Sequence, residues 1–189
     1  MRKLILVKHA RPQMTEGIPS HAWGLSDEGR AACGPLAAAI RPHDPVAIVT
    51  SEEPKAHETA RLIADALGKP IDTAAGLQEH DRSNVPIMRP GEFLSALALF
   101  FKAQNRLVLG KETAYEAAER FQRAVESVLK EYPDGNVAIV THGTVLALFA
   151  SENGAGDPFQ LYRQFGLPSF LVFSVPDYKL LEKREKIVA

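Results

Sequence analysis

At 189 residues, 46% of them apolar and 24% charged, the chain has the size and composition of one globular domain, and disordered or fibrous classes are excluded. A formal net charge of -1 excludes a general attraction for nucleic acid or an anionic membrane, and the single cysteine, Cys33, excludes an internal disulfide framework and a four-cysteine metal site. No stretch reaches the ~18 apolar residues of a membrane helix, and the run Leu4 to Val7 is too short for a secretory leader, so a cytoplasmic location is expected.

The first element is a buried strand over Lys3 to Lys8 (KLILVK), which runs straight into His9. Ser26 is an N-cap for an Ala-rich helix that Pro42 stops after about Ile40, and Cys33 within it reads as a small buried hydrophobe. Pro45 to Thr50 (PVAIVT) predicts a second strand of the same character. Ser51 is expected to cap the next helix, with Glu52 and Glu53 in its first turn and Gly68 closing it after Leu67. Asn84 to Gly110 reads as an insertion interrupted by Pro86, Pro90 and Gly91. Its segment Phe93 to Phe101 is apolar almost all round, which fits a core helix, a lid or a partner-binding face.

Thr113 with Glu116 forms a capping box for a long helix to about Glu131, with Tyr115, Ala118, Phe121, Val125, Val128 and Leu129 along one face. Pro133-Asp134-Gly135 then turns the chain into a strand over Asn136 to Thr141 (NVAIVT), which runs into His142. Phe170 to Val175 and Tyr178 to Lys183 flank a Pro176-Asp177 turn and predict a hairpin. Continuous apolar strands alternating with helices imply a three-layer α/β/α domain with a mainly parallel central sheet, a single domain over 1–189 with a helical insertion at about 84–110.

Each parallel strand ends in a polar cluster: Lys8-His9-Ala10-Arg11 after the first, Thr50-Ser51 and then Lys55 after the second, His142-Gly143-Thr144 after the Asn136 strand. Ligands of open α/β sheets bind beyond the carboxyl ends of strands. If these strands are neighbours, two imidazoles and two or three cations meet there, a composition suited to a phosphoryl group. Neither a glycine-rich dinucleotide fingerprint nor a Walker loop is present.

The segment LILVKHARP resembles the opening signature of the histidine phosphatase (phosphoglycerate mutase-like) superfamily. GLSDEGRAA from Gly24, TSEEPKAHETARLIADALG from Thr50, LQEH from Leu77 and VTHGTVLALF from Val140 resemble its further segments, in the same order. The resemblance implies that His9 is the nucleophile and that Lys8, Lys55 and His142 bind phosphate, with Arg11 a candidate addition. It also implies that Glu79 is the proton donor, with Asp81 as the alternative acid. It implies no metal and no cofactor, and a small phosphorylated substrate or a phosphoprotein as partner.

Lys8 and Lys55 stand where the family has arginines, which keeps the charge and loses the bidentate fork. Ala10 stands for a glycine and Thr15 for an asparagine. The expected activity is hydrolysis of a phosphomonoester. A catalytically weak relative that binds a phosphorylated ligand or protein, and a phosphomutase, are the alternatives.

Overall fold

The structure, a computed structural model, describes residues 1–188. Its strands are β1 (Arg2–Lys8), β2 (Pro45–Thr50), β3 (Ile71–Thr73), β4 (Asn136–Thr141), β5 (Ser169–Val175) and β6 (Leu180–Arg184). They form one sheet in the order β3-β2-β4-β1-β5-β6. β1 to β4 run parallel, β5 is antiparallel to β1, and β6 pairs antiparallel with β5 as the predicted hairpin.

The helices are α1 (Asp27–Ile40), α2 (Pro54–Leu67), α3 (Pro90–Lys102), α4 (Ala114–Glu131), α5 (Gly143–Glu152) and α6 (Pro158–Gln164). Alternate strand residues divide between two cores, as the period of two requires. Leu4, Leu6, Val137, Ile139, Leu171 and Phe173 pack under α3 to α6. Ile5, Val7, Ala138, Val140, Phe170 and Val172 pack under α1 and α2. Both faces of the sheet are covered, which is the three-layer architecture read from the unbroken apolar runs. No helix of the described residues is long and apolar enough to cross a membrane.

Caps set where the helices start. Ser26 Oγ accepts from Gly29 N at 3.1 Å, and at α4 Thr113 Oγ1 accepts from Glu116 N while Glu116 returns a bond to Thr113 N. Each such cap is worth about 1 kcal/mol. At α2 the expected cap is corrected. Pro54 occupies the first helical position, where its missing N–H costs nothing, so the N-cap is Glu53 and not Ser51. Ser51 Oγ instead accepts from Glu53 N at 3.2 Å and is left beside the strand ends. The apolar Phe93 to Phe101 segment packs inward through Leu97, Phe100 and Phe101, while Leu94 and Leu99 face outward.

The order β2-β4-β1 makes the three strands with polar ends adjacent. The ladder continues one residue past each end: His9 N donates to Thr141 O at 3.0 Å and Ser51 N to Val140 O at 3.1 Å. His9, Ser51 and His142 therefore emerge side by side, at the roughly 4.8 Å strand spacing.

Candidate active site

His9 is buried, and its Nδ1 lies 2.7 Å from the Ala10 carbonyl oxygen. A carbonyl only accepts, so Nδ1 carries the proton and the lone pair of the neutral ring sits on Nε2. Burial holds the pKa of His9 well below its ordinary value. The neighbouring His142, Lys55 and Lys8 push the same way, against the Ala10 bond. The ring of His142 lies 5.1 Å from that of His9, centroid to centroid. His142 Nε2 meets Ser51 Oγ at 2.7 Å and Glu53 Oε1 at 3.4 Å, while its buried Nδ1 has no partner. Burial, then Lys55, Arg82, Arg120 and Lys8, keep this imidazole neutral as well.

Two ammonium groups flank the imidazoles. Lys8 Nζ donates to Phe165 O at 2.8 Å and lies 5.4 Å from the centre of the Tyr162 ring. Burial brings its pKa down to about 8, with Glu79 opposing. Lys55, in the first turn of α2, donates to Ser20 O at 2.7 Å and ion-pairs with Glu53. A cation opposes the dipole at a helix start, and here Glu53 at the N-cap compensates it.

The carboxylate of the site arrives on a loop. Glu79 sits at the start of α5, where Oε2 accepts from Thr144 N at 3.1 Å and Oε1 from Val145 N at 3.3 Å. Those amides are the unpaired donors of a helix N-terminus, which favour an anion. Burial pushes the Glu79 carboxyl up, but Arg82 and the amides of His80 and Thr144 outweigh it and hold the pKa below the usual carboxylate value. Long-range contacts fix the loop. Glu79 N donates to Glu53 Oε1 at 2.8 Å. Arg120 of α4 donates to Gly76 O and Gln78 O at 2.8 and 3.0 Å and pairs with Glu112. Gly110 leaves room beneath: a β-carbon there would lie 2.2 Å from Asp81 O, at a φ of +82°.

These residues line a cleft of about 660 Å³, walled by Ser20–Trp23 on one side, by Gln78–Ser83 on another and by Tyr162 and Leu167 on a third. Lys8, His9, Lys55 and Glu79 all border it, whereas His142, fully buried, does not line it and is linked to it through the ring of His9. Arg11 does not join them. Its side chain is half exposed and pairs with Glu28 at 3.0 Å, because Ser26 N and Ser26 Oγ bond the Arg11 carbonyl and turn this residue toward the start of α1. Asp81 borders the cleft, but Oδ1 accepts from Ser83 N at 2.9 Å and only Glu79 reaches the α5 amides.

Sequence reading missed Glu53, Arg82 and Tyr162. Glu53 looks like any first-turn acid, and its role appears only when Lys55, His142 and Glu79 N are brought around it. Among the described residues no group of three or more His, Cys, Asp or Glu is placed to hold a metal ion.

Residues 4–175 match the histidine phosphatase superfamily (branch 1), and the chain belongs to that family. No curated protein matches it. Among solved structures it resembles a mycobacterial glucosyl-3-phosphoglycerate phosphatase complexed with VO3, at 17% identity and a TM-score of 0.76, with 100% of each chain covered. It also resembles Bacillus stearothermophilus YhfR, at 21% identity and a TM-score of 0.76, covering 100% of this chain and 98% of the other. Phosphoserine phosphatase from Entamoeba histolytica in complex with 3-phosphoglyceric acid gives 16% identity and a TM-score of 0.78, with 98% of each chain covered. At these identities the shared property is the fold.

Proposed function

We propose that the chain is a phosphatase that hydrolyses a phosphomonoester through a phosphohistidine on His9. The observation that carries this reading is the state of the His9 ring: neutral, with Nδ1 tied to Ala10 O, between a second imidazole and two buried ammonium groups. A phosphoryl group spreads its charge over three oxygens, so positioning and electrostatic stabilisation do most of the work of its transfer. Lys8, Lys55 and His142 supply that surround. The Nδ1 of His142 is buried without a partner, and in this reading a phosphoryl oxygen bound against His9 becomes its acceptor. A cleft of about 660 Å³ suits a small molecule better than a folded phosphoprotein, in keeping with the small substrates named for two of the fold neighbours.

In the first step the His9 Nε2 lone pair attacks phosphorus, the P–O ester bond breaks, and the leaving oxygen takes a proton from Glu79. Glu79 is ionised at rest, so that proton arrives with the substrate. Phosphomonoesters have a second pKa near ~6 and enter partly as monoanions. In the second step water attacks phosphorus, the P–N bond breaks, and the Glu79 carboxylate accepts the proton of the water. His9 and Glu79 account for each bond and proton without a cofactor.

The test is a quench experiment with a radiolabelled aryl phosphate. An acid-labile, base-stable label on the wild-type protein is expected. His9→Ala should carry no label and lose more than about 1,000-fold in turnover. Undiminished turnover in His9→Ala would overturn the reading. Return of the phosphoryl group to an acceptor other than water would make the chain a mutase. No turnover, with phosphate still raising the melting temperature, would make it a binding module.

A further inference from the structure

Glu53 puts a carboxylate beside the phosphate clamp, and the proposed mechanism does not use it. Its side chain borders the cleft at 11% exposure. A negative charge there repels a phosphoryl group, so its presence needs a reason. Both of its oxygens are engaged. Oε2 accepts from Lys55 Nζ, while Oε1 accepts from Glu79 N at 2.8 Å and lies 3.4 Å from His142 Nε2.

The reason lies in Lys55. An ammonium carries three donors on a flexible stem and has no plane to orient it, so its charge alone does not aim it. Here two of the three donors are committed, one to Ser20 O at 2.7 Å and one to Glu53 Oε2. In a tetrahedral group the third direction follows from the other two, and that donor is left for the cleft that Lys55 borders. Lys8 has no carboxylate of this kind: its ammonium donates to the Phe165 carbonyl. The backbone that presents Glu53 is also fixed. Pro54 follows it and holds it in the extended region, at φ −70° and ψ 134°.

Building on the phosphatase reading, we propose that Glu53 is a positioning residue that aims the Lys55 ammonium at the phosphoryl group. The pair then does what the fork of one guanidinium would do alone. Two effects of Glu53 oppose each other: aiming Lys55 strengthens the hold on phosphate, and the added negative charge weakens it. The proposal states that the first is the larger.

A double-mutant cycle on 4-nitrophenyl phosphate tests this. The phenolate leaves without a proton, so the cycle reads the clamp apart from proton donation by Glu79. Glu53→Gln keeps the shape and an oxygen for Glu79 N, and removes the charge that holds Lys55. It is expected to lower kcat/KM by about 10- to 100-fold, the worth of a charge-assisted bond, but by less than about twofold when Lys55→Ala is also present. Glu53→Asp draws the charge back by one methylene and should fall between, and it carries the same cycle if Glu53→Gln does not fold. Equal losses with and without Lys55→Ala would overturn the proposal and place the effect of Glu53 in the Glu79 loop. A gain in kcat/KM in Glu53→Gln would overturn it as well, because repulsion would then be the larger effect. If the wild type does not turn over the ester and forms no phosphohistidine, the phosphatase reading fails, and the cycle is repeated on the affinity for inorganic phosphate, measured by calorimetry. Coupling between Glu53→Gln and Lys55→Ala there would sustain the aimed ammonium, and additive losses would refute it.

Discussion

The wall of the cleft made by the ends of β1, β2 and β4 is held by backbone ladder bonds, whereas the wall that carries Glu79 has no regular structure from Ala74 to Arg89. In the first wall, His9 and Ser51 are fixed by the same register that builds the sheet, and their positions need little from distant side chains. In the second, the chain is shaped from outside, by Arg120 reaching two carbonyls, by Glu53 holding Glu79 N and by the space at Gly110. The contrast assigns different work to the two walls. A sheet end offers the fixed geometry that in-line attack on phosphorus demands, while an irregular loop on a rigid scaffold is where specificity is readily altered.

Glu79→Gln gives the sharpest break between the walls and the largest effect expected here. Loss of a general acid should lower kcat/KM, which reports formation of the phosphohistidine, by about 100- to 10,000-fold for ethyl phosphate. It should lower kcat/KM far less for 4-nitrophenyl phosphate, whose phenolate leaves without a proton, and phosphohistidine should form from that ester and persist, because the water-activating carboxylate is gone. Equal losses on the two substrates would tie Glu79 to the first wall instead. A leaving-group-dependent loss in Asp81→Asn would transfer the acid to Asp81.

The same division explains how much of the molecule could be read from its residues. Pro45 to Thr50 and Asn136 to Thr141 are strands with those very bounds, because a strand covered on both faces is an unbroken apolar run with a sharp polar end. Lys8, His9, Lys55 and His142 were legible for the same reason: each follows directly on such a run or opens the helix after it. The hairpin and the Thr113 capping box were equally local. β3 was not anticipated, since three residues at a sheet edge, two of them exposed, carry no pattern.

Arg82, Glu53 and Arg120 are indistinguishable in sequence from solvated surface charges. What sets them apart is a partner 11, 26 or 44 positions away, counted from Arg82 to Phe93, Glu53 to Glu79 and Gly76 to Arg120. Ser51 failed as a helix cap for a local reason that was available, since Pro54 already marked the first helical position.

An intermediate effect is expected from pH, and it bears on the first wall alone. The buried Lys8 ammonium has a pKa of about 8, below its usual 10.5, so its charge is present below pH 8 and lost above it. The kcat/KM of the free protein should therefore fall as pH rises through about 8. Lys8→Arg stays charged and should exceed the wild type by about tenfold at pH 9, where one lysine in about ten keeps its proton. Stability should move the opposite way. Between pH 8 and 10.5 the unfolded chain binds more protons at Lys8, so unfolding becomes harder as pH rises in that window. An unchanged alkaline limb in Lys8→Arg would remove Lys8 from the phosphate clamp.

The smallest effect is expected at Arg11, and its smallness is informative. Arg11 follows His9 by two residues and carries the fork that Lys8 lacks, yet it points to Glu28 across an exposed surface, at 3.0 Å. Exposed pairs of this kind contribute about 0–1 kcal/mol, so Arg11→Ala should change stability by less than that. The KM for an aryl phosphate should stay within about twofold, since any long-range attraction across the surface is screened within about 10 Å at ordinary salt. A tenfold rise in KM would bring Arg11 into the clamp in solution. The first wall would then extend past its ladder bonds into the turn at Ala10, and the division between a sheet-built wall and a loop-built wall would fail at that point.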